Sequence, residues 1–280
     1  MNGKVVVITG GTSGIGEVAA LELAKMGARI VLIARDASRA DATLVRLRNA
    51  APNLVHSAFL ADLSRLAEMK RVAAQIADQE PRIDVLVNNA GAIFAARQLT
   101  EDALERTFAL NHMSYFVLTL ALRERLLAAK AARIVNTASA AHHGAAFDLD
   151  DVRSTKGLGG MKAYRCSKLC NILFTRELAR RLRGTGVTAN CLHPGFVATR
   201  FGDQSGGMLS RLVWVAKLFA ISPDEGAQTI VYLASSPEAA KITGQYFHKC
   251  RPAIPSAAAQ DDRSARELWR RSADLAGMNA

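Results

Sequence analysis

The sequence predicts an α/β fold: a single doubly wound parallel sheet of about seven strands, with helices on both faces. Three observations lead there. Short continuous apolar runs, beginning with Val5-Val6-Val7-Ile8, have the length and the lack of alternation expected of strands buried on both faces. Between them lie stretches with apolar residues at helical spacing, such as Val18, Ala19, Leu21, Leu23 and Met26. The two patterns alternate along most of the chain, which is the order that builds repeated βα units and parallel crossovers.

The first strand, over 4–9, runs into Thr9-Gly10-Gly11-Thr12-Ser13-Gly14-Ile15-Gly16 and then into a helix. Strand, glycine turn and helix together cradle phosphate, because the glycines admit the backbone and the helix N-terminus offers N–H groups and a positive dipole end. Gly10, Thr12, Ser13, Gly14, Ile15 and Gly16 are therefore candidate cofactor contacts, in a G-x-x-x-G-x-G spacing. The second strand, over 28–34, is followed by Arg35 and Asp36. A guanidinium here matches a ribose 2′-phosphate, which predicts a preference for NADP(H), with NAD(H) still possible. The alternative gives Asp36 the 2′-hydroxyl and leaves Arg35 an exposed charge.

A helix is expected over about 37–50, a strand over 54–60 and a helix over 64–79. Asp62 and Leu63 follow that strand. Asp62 either meets the adenine amino group or caps the next helix, a role for which Ser64 is the better candidate. The strand at 83–87 leads to Asn88-Asn89-Ala90-Gly91, where small and amide residues suit close packing against a cofactor. In the next helix, over about 101–122, Asn111 stands out, because asparagine competes for backbone hydrogen bonds in helix interiors. A strand over 132–138 delivers Ser139, and a glycine-bearing loop over 140–160 holds His142 and His143, which receive no role.

Tyr164 and Lys168 are four apart at the start of a helix that runs to about residue 183, so they share one face. A free phenol titrates near pH 10, and a fixed ammonium beside it favours the phenolate. The pair is a candidate acid/base device, although Tyr-x-x-x-Lys also occurs by chance on many helices. A strand over 187–192 follows, then His193-Pro194-Gly195. Residues 196–222, rich in Met208, Leu209, Leu212, Val213, Trp214 and Phe219, are expected to form an apolar substrate lid. A core helix or an exposed apolar patch are its alternatives. A helix over 223–235 and a strand over 244–247 close the sheet. Residues 1–255 read as one dinucleotide-binding domain and 256–280 as a tail with a helix over about 261–275, which Trp269 anchors either on the body or at a subunit contact.

With these residues in place, the chain resembles the short-chain dehydrogenase/reductase family, of Rossmann-type fold, over roughly residues 3–250. Thr9-Gly10-x-x-x-Gly14-x-Gly16, Asn88-Asn89-Ala90-Gly91, Ser139, Tyr164-x-x-x-Lys168 and Pro194-Gly195 occur in the family's order. The resemblance implies a catalytic set in which Tyr164 exchanges a proton with the substrate oxygen and Ser139 orients that oxygen. Lys168 binds the nicotinamide ribose and lowers the tyrosine's pKa, and Asn111 holds a water. It also implies cofactor contacts from Asn89, Ala90, Gly91, Tyr164, Lys168, Pro194, Gly195, Val197 and Thr199. Ser139-Ala-Ala-His142, Phe147-Asp148-Leu149, and the run from Tyr164 through Leu178 are similar to the retinol-dehydrogenase-like branch. Such members often use NADP(H) and act on lipophilic alcohols and aldehydes. The retinoid-active ones commonly carry an N-terminal membrane anchor. This sequence begins without one, which weighs against retinoids.

Composition narrows the alternatives. The net charge of +11 could serve nucleic acid, but the arginines are dispersed and the aromatics are too few for base stacking. No apolar run is long enough for a transmembrane segment, and Met1-Asn2-Gly3-Lys4 leaves no room for a signal peptide, so cytoplasmic residence is expected. The four cysteines, Cys166, Cys170, Cys191 and Cys250, show no metal-ligand spacing. The readings carried forward are an oxidoreductase acting on a small lipophilic alcohol or carbonyl, and a non-catalytic dinucleotide-binding regulator. Homo-oligomeric assembly stays open.

Overall fold

The fold of the chain was obtained as a computed structural model, which describes residues 1–145, 160–195 and 222–279. Strands β1 (Val5–Thr9), β2 (Arg29–Ala34), β3 (Ser57–Leu60), β4 (Val85–Asn88), β5 (Arg133–Thr137), β6 (Thr188–Leu192), β7 (Tyr246–His248) and β8 (Arg251–Pro252) form one sheet in the order β3-β2-β1-β4-β5-β6-β7-β8. All pairs are parallel except β7 with β8. The order reverses between β1 and β4, the switch point at which ligands collect in open α/β sheets.

Each buried strand sends alternate side chains to opposite faces, and two cores result. Val6, Ile8, Ile30, Leu32, Val85 and Val87 lie in one core. That side is covered by helices α1 (Gly14–Lys25) and α2 (Ala37–Ala50), and by a later helix, Pro223–Ser235, labelled α8. Val7, Val31, Ile33, Leu86 and Ile134 lie in the other core, under α3 (Leu66–Gln79), α5 (Ser114–Ala121) and α7 (Gly160–Arg181). Two short helices, α4 (Arg106–Phe108) and α6 (Arg123–Ala128), flank α5. The C-terminal helix α9 (Asp262–Ala276) packs on α7 and α5, with the Trp269 ring 5.8 Å from Phe174 and 5.1 Å from Phe116. Trp269 thus anchors the tail on the body.

The sheet has eight strands rather than about seven. The extra one is a two-residue hairpin arm containing Pro252, too short to carry a pattern. Its turn, Lys249-Cys250, takes the left-handed backbone (φ +49° and +59°) without glycine or asparagine. The helix expected over 101–122 starts later, at Arg106, and is interrupted by a π-helical turn, Ala109–Met113. Ser64 does not cap α3. Its amide and hydroxyl both donate to Asp62 Oδ1 (3.0 and 2.8 Å), while the Leu66 amide donates to Asp102 from a distant loop (3.0 Å). A cap supplied by a residue 36 positions away leaves no local sequence signal.

Candidate active site

Two ends of the sheet's carboxyl edge converge on α1 and α7. At the first, Thr9 closes β1 and its Oγ1 accepts hydrogen bonds from the Asn89 and Ala90 amides, both at 2.9 Å. Asn89 Nδ2 returns bonds to the Thr9 and Gly10 carbonyls at 3.3 Å. Gly10 needs its freedom, with φ +67° and no room for a side chain: a Cβ would stand 2.9 Å from the Ala90 Cα. A Cβ on Gly16 would run into the Gly10 carbonyl and the Asn89 amide. The glycine turn is therefore clamped against the end of β4. Ser13 is the N-cap of α1 in extended conformation, yet its side chain makes no capping bond. Among the described residues the first-turn N–H groups of Gly14, Ile15 and Gly16 have no side-chain acceptor. That is the state in which a helix terminus accepts an anion, so the turn and Thr12 beside it fit a dinucleotide's diphosphate.

At the end of β2, Arg35 is exposed. Asp36 caps α2, with Oδ1 accepting from the Arg39 amide at 2.9 Å. One oxygen of this exposed carboxylate is thus engaged in the cap. Asp62 is half-buried and holds Ser64 as described, and Leu63 beside it is buried.

The second end is the candidate reaction centre. Ser139 follows β5 in extended conformation (φ −162°, ψ 151°), and its Oγ accepts from the Ala141 amide at 3.2 Å. The Tyr164 phenol, 8% exposed, is hydrogen-bonded to the Ser139 side chain. Lys168 lies one turn further along α7, with Nζ 5.7 Å from the Tyr164 ring centroid and donating to the Thr137 carbonyl at 2.9 Å. Burial pushes Tyr164 up to about 12, opposed by the bond to Ser139, and burial pulls Lys168 down to about 7. Desolvation disfavours the charged form of each group.

Asn111 sits in the π turn, a local widening often found at functional sites. It makes a two-way bridge to Ala92, accepting from the amide at 2.9 Å and donating to the carbonyl at 3.0 Å. Its Nδ2 also donates to Ser167 Oγ (3.0 Å), and Ser167 in turn donates to the Tyr164 carbonyl (2.8 Å). Both side-chain donors are therefore used inside the protein. A Cβ on Gly91 would approach Asn111 Oδ1 to 3.1 Å and Lys168 Nζ to 3.4 Å, so the Asn88–Gly91 loop, Asn111 and Lys168 meet at one point.

Two histidines that received no role from sequence reasoning, or little, belong to this region. His142 is fully buried between Ser139 and Ser256, rather than solvated on a loop. His193 accepts a bond from the Gly195 amide (3.0 Å), shaping the Pro194-Gly195 turn, and stacks on His248 at 4.3 Å. His143 is exposed. The Ser139-x-x-His142 spacing was visible but carries no general signal. Val197, Thr199 and all of the expected lid except its last residue, Ser222, fall within 196–221, outside the described residues.

The pattern of the short chain dehydrogenase family matches residues 4–208, from β1 past the Tyr164–Lys168 helix. The chain is a short-chain dehydrogenase. It is 39% identical to human (Homo sapiens) retinol dehydrogenase 13, over 99% of this chain and 86% of that protein, which places it in the retinol-dehydrogenase-like branch. Among solved structures it is similar to an uncharacterized protein from Mycobacterium Paratuberculosis (TM-score 0.79, 30% identity, 99% of this chain and 95% of that one). It is also similar to a Pseudomonas aeruginosa RhlG/NADP active-site complex (TM-score 0.71, 27% identity, 92% and 97%). This short-chain dehydrogenase is an oxidoreductase acting on CH–OH donors, in a family that binds nicotinamide dinucleotides.

Proposed function

We propose that the protein transfers a hydride between NADP(H) and a hydrophobic aldehyde or ketone, or the corresponding alcohol, with Tyr164 as general acid/base. The observation that carries this reading is the buried Tyr164 phenol bonded to Ser139 with the Lys168 ammonium one turn away. A bound nicotinamide dinucleotide supplies or accepts the hydride, and the protein supplies position and electrostatics. In reduction, Tyr164 gives its proton to the substrate oxygen while Ser139 orients that oxygen. A phenol held near 12 keeps its proton at neutral pH, the form that donates in reduction. Lys168 and the Asn89–Gly91 loop hold the nicotinamide ribose, and Asn111 supports that loop through Ala92. Pro194 and Gly195 are assigned to the nicotinamide end, and Val197 and Thr199, which lie outside the described residues in the segment proposed as the substrate lid, are assigned the same role.

Preference for NADP(H) over NAD(H) rests on Arg35 and on the engagement of Asp36 as a helix cap. The lipophilic substrate class is supported by the likeness to retinol dehydrogenase 13. No described helix is long and apolar enough to cross a membrane, and residence in the cytoplasm is part of the proposal.

The test is oxidation of NADPH and NADH, side by side, against aliphatic, aromatic and polyene aldehydes, with Tyr164→Phe as control. NADPH-linked turnover that falls by about 100- to 10,000-fold in the variant, with NADPH binding retained, is the expected result. Equal use of both cofactors would remove the role of Arg35. Tight NADPH binding without turnover would favour a dinucleotide-binding regulator.

A further inference from the structure

We propose that His142 is a positioning residue for Ser139: its imidazole bridges the Ser139 carbonyl to the Ser256 amide and thereby aims the serine hydroxyl at Tyr164. The proposal rests on the reading of Ser139 as the residue that orients the substrate oxygen.

His142 belongs to the 3₁₀ turn Ala140–Gly144 that follows β5. Its neighbours Ala140, His143 and Gly144 are exposed, whereas His142 is 0% exposed. A turn on the sheet edge does not require that burial. Nδ1 lies 2.6 Å from the Ser139 carbonyl oxygen, and Nε2 lies 3.0 Å from the Ser256 amide nitrogen. The two partners fix the tautomer. A backbone N–H can only donate, so Nε2 is bare, and Nδ1 therefore carries the proton and donates it to the carbonyl. Burial, which disfavours imidazolium, holds the ring in this neutral form.

The geometry makes the bridge consequential for Ser139. The same carbonyl also accepts from the His142 amide at 3.2 Å, so two donors of one residue pin it. The direction of a carbonyl defines ψ of its own residue, and ψ of Ser139 sets the path into the turn whose Ala141 amide donates to Ser139 Oγ. The far end of the bridge is equally fixed. Ser256 Oγ caps the short turn Ala257–Gln260, which leads into α9, and the ring packs edge-on against Tyr246 of β7 at 5.2 Å. His142 thus joins the reaction centre to the C-terminal segment, across 114 positions of sequence.

A histidine that merely fills space against Tyr246 would be replaced by phenylalanine with little effect on turnover, so the test uses that contrast. Decanal reduction by NADPH is followed for His142→Phe and His142→Asn, each alone and on a Ser139→Ala background, with NADPH affinity read by fluorescence. His142→Phe is expected to lower kcat by about 10- to 100-fold, the scale of a small misplacement of a reacting group, with NADPH affinity unchanged. His142→Asn keeps an amide donor within reach of the Ser139 carbonyl and is expected to recover part of the loss. A residue that acts only through Ser139 adds nothing once the hydroxyl is gone, so neither substitution should lower kcat further in Ser139→Ala. Wild-type kcat in both single variants, or the same loss on both backgrounds, overturns the proposal. Should His142→Phe fail to fold, His142→Asn carries the same comparison. Wild-type kcat in Ser139→Ala alone would refute the reading of Ser139 itself, a result distinct from failure of the bridge.

Discussion

Tyr164 and Lys168 near the start of α7 and Phe174 and Leu178 toward its end are all buried, but the two groups hold opposite chemistry. Near the start, Tyr164 and Lys168 sit out of solvent, with a carbonyl rather than a carboxylate as the partner of the lysine among the described residues. Toward the end, Phe174 and Leu178 join Phe116 and Trp269 in an apolar cluster. The charged groups there are paired: Glu177 accepts from Arg180 and Arg181 at 2.9 and 2.8 Å, and the Arg181 guanidinium lies 4.4 Å from the Trp269 ring centre. The far end pairs its charges, although Arg176 Nε and Trp269 Nε1 find no hydrogen-bond partner among the described residues and a cavity of about 400 Å³ lies beside Leu178, Leu182 and Trp269. The near end leaves an amine whose cationic form burial disfavours and a phenol that resists ionisation. The helix is held by one end and works at the other, as expected when chemistry requires groups that packing alone would not select.

The largest effect that would sharpen this contrast concerns the holding end. Trp269→Ala removes the side chain that seats α9 on α5 and α7 and is expected to lower stability by about 3–5 kcal/mol, measured by urea unfolding. NADPH affinity should be unchanged, because none of these rings lies at the glycine turn. A change in affinity without a change in stability would break the division.

A second, smaller effect comes from the buried histidines. Burial holds His112, in the π turn Ala109–Met113, at about 3 and His193 at about 4, and it lowers His142 as well. In the unfolded chain all three titrate near 6.5. Below that value the unfolded state takes up protons that the folded state refuses, so stability is complete above about pH 6.5 and declines steadily as pH falls toward 4. Urea midpoints at pH 7 and pH 5 check this. An unchanged or higher midpoint at pH 5 would contradict it.

The contrast also explains what was legible in the sequence. The β1 run, the glycine turn and the Asn88–Gly91 loop work through local backbone demands, and local demands leave patterns. Asn111 was conspicuous because asparagine disfavours a regular helix, and the π turn is the structural answer. The features that escaped depend on distant partners. Asp102 caps a helix 36 positions away, and His142 meets Ser256. The ionisation of Tyr164 escaped for a different reason: helical spacing brings an ammonium near a phenol, but it does not reveal that both are desolvated. Trp269 was marked as an anchor, and the partners it chose, Phe116 and Phe174, could be known only once α5 and α7 were side by side.

The central claim is that the near end of α7 carries function at the expense of stability, and Lys168→Met tests it most directly. The substitution keeps an unbranched side chain, one atom shorter, and removes the buried amine, and the Thr137 carbonyl keeps its bond from Asn171 Nδ2 at 3.2 Å. Because Lys168 titrates at about 7 when folded and near 10.4 when unfolded, its burial costs on the order of a few kcal/mol at neutral pH. That penalty shrinks as pH rises above 7, since the unfolded chain then gives up its own proton. Thermal unfolding at pH 7 and pH 9, beside NADPH-linked aldehyde reduction, reads both sides of the claim. The account predicts a higher Tm than wild type at pH 7, a smaller difference at pH 9 and loss of turnover. A lower Tm at both pH values, or turnover that survives, would contradict it.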